Sequence, residues 1–155
     1  TRDRIYGKGE WNGYQFSVID TGGYAKTKED IFEGEIRKQV EIAIEEATVI
    51  VFMVDVMTGI VEMDEIVAQL LRKSKKPVLI AANKVDNTER VGLSSEFYAF
   101  GLGDVYDLSA TNGSGTGEIL DELVKYFNKE DFLIGNQIYY IIRYLSNTLR
   151  VSYIY

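Results

Sequence analysis

Thr48 to Val56 reads TVIVFMVDV, a continuous, β-branched and apolar run. A strand with one wet face alternates polar and apolar residues, so an unbroken run of this kind reads as a strand covered on both faces. That reading commits the chain to a parallel sheet with helices on either side, and the neighbouring segments agree. From Ile31 to Ala47 the apolar residues Ile36, Val40, Ala43, Ile44 and Ala47 recur at helical spacing. A second helix is expected from about Met63 to Lys73, with Ile66, Val67, Leu70 and Leu71 on one side. Pro77 opens a further strand over Val78 to Ala82, and a weaker helical stretch near Ser94 to Phe100 leads into DVYDLSA. Gly115 to Phe127 reads as a last helix, while Asn12-Gly13 predicts a hairpin turn ahead of the strand Phe16 to Ile19. Strand and helix thus alternate, the pattern of an α/β fold with a mostly parallel sheet.

In such sheets ligands gather outside the carboxyl ends of the strands. Three polar clusters stand there: Asp20-Thr21-Gly22-Gly23, Asn83-Lys84-Val85-Asp86 and Ser109-Ala110. An aspartate accepts at two oxygens and donates at none, so Asp86 can pair with the adjacent ring N–H and amine of guanine but finds no such donor pair on adenine. Lys84 can lay its methylene stem over a base, and Asn83 can tie neighbouring loops together. Taken alone, Asn83 to Asp86 equally describes an ordinary solvated turn. Asp20 can hold a magnesium ion directly or through water, and Gly23 lets a backbone N–H approach a terminal phosphate; a glycine turn with a self-bonded aspartate is the plainer reading. Ser109-Ala110 offers a backbone N–H to the guanine carbonyl oxygen, and Thr1 a hydroxyl to magnesium; each is weak by itself. Asn112 to Gly117, NGSGTG, lacks the Lys-Ser/Thr ending of a phosphate loop and reads as a helix entry.

Composition narrows the chemistry further. The 155 residues include no cysteine and no histidine, which excludes a disulfide scaffold, a thiolate zinc site and histidine acid/base chemistry. Net charge is −7 without a basic cluster, so the body of the chain has no electrostatic grip for DNA. The longest apolar stretches are strand-length, far below the roughly 20 residues of a membrane span, and the expectation is a soluble, cytoplasmic protein.

The order Asp-x-x-Gly, then Asn-Lys-x-Asp, then Ser-Ala, each after a predicted strand, resembles the Ras-like GTPases of the P-loop NTPase fold from Thr1 to about Phe127. The stretches TRDRIYGKGEWNGYQFSVIDTGGY, AIEEATVIVFMVDVMTGI, NKVD and EFYAFGLGDVYDLSATNGSGTGEILD are similar to the first of the two GTPase domains of the bacterial Der (EngA) family. That resemblance implies binding and slow hydrolysis of GTP to GDP and a role in maturing the large ribosomal subunit. Residue by residue, it implies that Thr1 and Asp20 serve magnesium, and that Gly23 meets the γ-phosphate. Asn83, Lys84 and Asp86 then read the base, and Ser109 and Ala110 close over it.

The chain departs from the family in one respect with large consequences. No G-x-x-x-x-G-K-[ST] occurs anywhere in it; GGYAKT at Gly22 to Thr27 has Ala25 before its lysine. The phosphate loop supplies most of the donors that hold the β- and γ-phosphates, so the chain by itself is expected to bind GTP weakly or not at all and not to turn it over. Tyr24 stands where Ras has its water-orienting glutamine; the potassium ion that the family implies in its stead has no phosphate-loop anchor here, and no catalytic base is assigned. The alternative function is a non-catalytic module that contacts the ribosome or another protein.

The fold is expected to be incomplete at its N-terminus, because the family's first strand lies centrally, between the strands at Phe16–Ile19 and Val49–Val54. Residues 133–155 differ from the domain of residues 1–132: they hold no acid, two arginines and five tyrosines, a balance of +2 against −9. Their composition points to a fragment, an assembly error or a shifted frame. Their apolar run Ile138 to Leu145 offers another outcome, the addition of the missing strand as in a circular permutant.

Overall fold

The computed structural model describes residues 5–20, 33–127 and 140–145. Six strands form one sheet in the order β1-β2-β6-β3-β4-β5. β1 (Ile5–Trp11) and β2 (Tyr14–Asp20) make an antiparallel hairpin. Its two-residue turn places Asn12 at φ 49° and Gly13 at φ 81°, the paired positive angles that match the twist of the flanking strands. Every other neighbouring pair is parallel: β2 with β6 (Tyr140–Leu145), β6 with β3 (Val49–Asp55), β3 with β4 (Val78–Asn83), and β4 with β5 (Val105–Asp107).

All seven residues of β3 are buried, as its unbroken apolar sequence requires. Its side chains alternate between two cores. Ile50, Phe52 and Val54 pack with Val40, Ala43 and Ile44 of α1 (Glu33–Glu46), with Val67, Ala68 and Leu71 of α2 (Glu62–Ser74), and with Phe97 and Phe100 of the 3₁₀ segment Val91–Phe100. On the other face, Val49, Val51 and Met53 pack with Leu79, Ala81, Phe16 and Phe127, and with Ile119 and Leu123 of α3 (Thr116–Val124). Helices therefore cover both faces, as the alternation of segments predicts. The expected helix near Ser94 is a 3₁₀ segment starting at Val91, closed by Gly101 at φ 65°.

The expected vacancy between β2 and β3 is filled. β6, from within the segment set apart by its composition, pairs with both neighbours: Ser17 to Asp20 face Tyr140 to Arg143, and Val49 to Met53 face Ile141 to Leu145. The proposed boundary at residue 132 lies outside the described residues. Backbone groups supply the pairing, so an apolar run reaches the slot despite the tail's different charge and aromatic content.

Candidate functional site

The parallel strands bring their carboxyl ends to one rim. β3 ends there at Asp55, β4 at Asn83, and β5 runs through Leu108 into Ser109. Three backbone bonds continue the sheet into the loops: Val56 N–H to the Asn83 carbonyl at 3.2 Å, Leu108 N–H to Ala82 at 3.0 Å and Val85 N–H to Leu108 at 3.0 Å. The loops after β3, β4 and β5 are thus laced together before any side chain contributes.

Asn83 completes the lacing. Its side-chain Oδ1 accepts the Ala110 N–H at 3.0 Å, joining two of the clusters singled out in the sequence across 27 positions. Lys84 then turns the chain at φ 72°, a left-handed angle costly for a non-glycine residue. The turn sends its ammonium to Asp55 Oδ2 at 2.5 Å, while Asp55 Oδ1 accepts the Met57 N–H at 2.8 Å. Asp55 is buried and Lys84 is about two-fifths exposed, so the ammonium is anchored from below with the stem at the surface. Asp86 is exposed and pairs with Arg90 at 2.9 Å; Arg90 also donates to the Lys84 carbonyl at 3.2 Å, which braces the loop from outside.

Ser109 is buried and its loop is tight. Its N–H donates to Ser114 at 2.8 Å and its carbonyl accepts from Gly113 at 2.8 Å. Gly115, at φ 74°, closes this loop where a Cβ would collide with the Asp107 carbonyl oxygen. Both N–H groups offered by Ser109-Ala110 to a ligand are consequently engaged inside the protein. Of the remaining predicted residues, Asp20 ends β2 at the register position beside Arg143 of β6, while Thr1 and Gly23 lie outside the described residues. Among the described residues no group of three or more acidic side chains has the spacing of a metal site.

Sequence reasoning missed Asp55 and Arg90. Asp55 reads as the last residue of an apolar strand, and its meeting with Lys84 depends on a backbone angle that no lysine advertises. Arg90 carried a legible signal, its i,i+4 spacing from Asp86.

Asp64 stands beneath the rim at the start of α2. It is fully buried, its Oδ2 accepts the Val61 N–H at 3.1 Å, and its Oδ1 has no partner. Burial raises its pKa to about 6; the Val61 hydrogen bond pulls the other way, and Asp55 and Glu65 add to the rise.

Comparison with known proteins decides what this rim belongs to. The sequence profile of the 50S ribosome-binding GTPase family matches residues 1–84, more than half of the chain. The chain belongs to that family. It is 63% identical over 127 residues to the GTPase Der of Flavobacterium johnsoniae, which covers 82% of this chain and 29% of the relative. To the GTPase Der of Porphyromonas gingivalis it is 55% identical over 131 residues, covering 84% of this chain and 30% of that protein. The chain therefore spans under a third of the length of these relatives. Among solved structures, translation elongation factor SelB from Methanococcus maripaludis, in complex with the GTP analogue GppNHp, matches 83% of this chain and 29% of its own at a TM-score of 0.63. At 14% identity that match shows the shared P-loop GTPase fold. Among the described residues no helix is long and apolar enough to cross a membrane.

Proposed function

We propose that the rim formed by Asn83, Lys84, Asp86, Ser109 and Ala110 reads the guanine base, within the first GTPase domain of a Der-type protein that hydrolyses GTP and acts in the cytoplasm on the maturing large ribosomal subunit. The observation that carries the base-reading role is the bond from the Ala110 N–H to Asn83, which brings the two base-reading clusters into one continuous wall. Asp86 accepts the two neighbouring guanine donors, with Arg90 fixing its loop. Lys84, tethered to Asp55, presents its stem as a flat apolar surface for the base. The guanine carbonyl oxygen meets the Ala110 N–H by sharing that donor with Asn83. Thr1 and Asp20 are assigned to magnesium and Gly23 to the γ-phosphate on the strength of the family motif, and potassium is the family's implied second cation. Hydrolysis belongs to the longer protein. The 155-residue chain has no phosphate-loop sequence and is proposed to retain base recognition without turnover.

Calorimetric titration of the chain with GTP and magnesium tests this division of labour, with binding weaker than micromolar expected. Micromolar affinity or measurable turnover would contradict it. In a full-length Der-type protein carrying this domain, Asp86→Asn exchanges an acceptor for a donor, and preference is expected to move from guanine toward xanthine nucleotides by at least about tenfold. Unchanged GTP affinity would remove Asp86 from the base-reading role.

A further inference from the structure

The hairpin β1–β2 and the β3–β4–β5 sheet are joined edge to edge through β6, yet they are also joined without it. The Trp11 indole N–H donates to Asp121 Oδ1 of α3 at 2.8 Å, and the Asn12 amide donates to the same oxygen at 3.2 Å. The rings of Tyr14 and Phe16 stand 6.0 and 5.7 Å from that of Phe127, beyond the end of α3. α3 itself is packed on β3 and β4 through Ile119 and Leu123. One helix thus clamps both halves of the sheet from the same face, holding the free edges of β2 and β3 about two strand spacings apart, close to 10 Å.

β6 is an uneven occupant of that gap. Strands with parallel partners on both sides are normally continuous apolar runs, as β3 is apart from its terminal aspartate. β6 reads YIIRYL, with Arg143 at the register step flanked by Asp20 and Val51.

We infer that the gap between β2 and β3 is a preformed acceptor for one parallel strand, and that the segment 140–145 of the same chain is its replaceable insert. Specificity comes from the backbone ladders on both edges, as in recognition by strand addition, and tethering raises the effective concentration of the segment to about the millimolar range. An apolar strand in trans competes for the gap only when that tethered segment is weakened.

The test uses the full chain, whose single tryptophan, Trp11, reports whether the hairpin stays docked on α3. Ile142→Pro removes a ladder donor from β6. Amide exchange at those N–H groups of 17–20 and 49–53 that point to β6 is expected to quicken at least 100-fold, while quenching of Trp11 by acrylamide changes less than twofold. A synthetic peptide of residues 138–147 carrying Arg143→Val, added at millimolar concentration to this variant, is expected to restore the lost protection. Trp11 quenching at the level of the urea-unfolded chain, including outright failure to fold, would overturn the inference, as would a peptide that restores nothing. Arg143→Val in the otherwise unaltered chain is expected to raise protection of 140–145 about tenfold and to leave the chain monomeric. Lower protection, or a dimer with exchanged strands, would show that the segment is not a replaceable intrachain insert.

Discussion

A carboxylate with one oxygen hydrogen-bonded and the other buried bare is costly, and Asp64 is one. Its pKa is raised from 3.8 to about 6 in the folded chain, so between those values the folded state holds a proton that the unfolded state has released. The contribution of this group to stability therefore falls as pH rises from about 4 to about 6 and stays low above that. The full shift is worth at most about 3 kcal/mol, and solvent screening trims it. Asp64→Asn keeps an acceptor for the Val61 N–H without the charge. Urea unfolding of this variant at pH 4 and pH 7 is expected to show this fall reduced or abolished, with stability at pH 7 equal to or above that of the parent. An unchanged pH profile would mean that Asp64 is not the group responsible. Residue-level signals were legible where spacing carried them: Asn83, Lys84 and Asp86 stand out as a set, whose base-reading role is proposed. Asp55 did not, because its partner is 29 positions away and reached through a positive φ at Lys84.

At the scale of elements, periodicity located α1, α2, β3 and β4 well because each buries a full stripe or a full strand against a core. The 3₁₀ segment was harder to read, since Val91, Leu93 and Tyr98 stay exposed and blur the apolar face. The loop between β5 and α3 shows how an element positions a site. Gly115 is required there twice over, by its positive φ and by the Asp107 carbonyl beside it. Gly115→Ala is expected to cost about 1–3 kcal/mol in urea unfolding and to displace the 109–114 loop. The accompanying sign is chemical-shift change at Ser109 and Ala110 greater than at β3; a loss under 0.5 kcal/mol with no shift change would argue that the loop adjusts freely.

For the molecule as a whole, the sequence carried the sheet's composition and offered its closure by the run Ile138 to Leu145 only beside the reading of the tail as a fragment, an assembly error or a shifted frame. The helix-covered parallel sheet follows from TVIVFMVDV and its neighbours, whereas the place of β6 rests on pairing between Ser17 and Tyr140 and between Val49 and Ile141, contacts about a hundred positions apart that leave no periodic trace. The tail's charge and tyrosine content pointed away from the domain, while its backbone completes the sheet. In the proposed reading, base recognition and phosphate binding are separable, because the candidate rim is built by β3, β4 and β5 and held by bonds internal to them. The most direct test is a backbone-amide NMR titration of the 155-residue chain with GDP and, separately, ADP at millimolar concentration. The account predicts shifts from GDP concentrated at residues 83–87 and 108–112, with little response to ADP. Equal responses to both nucleotides, or GDP shifts that bypass those two segments, would contradict it.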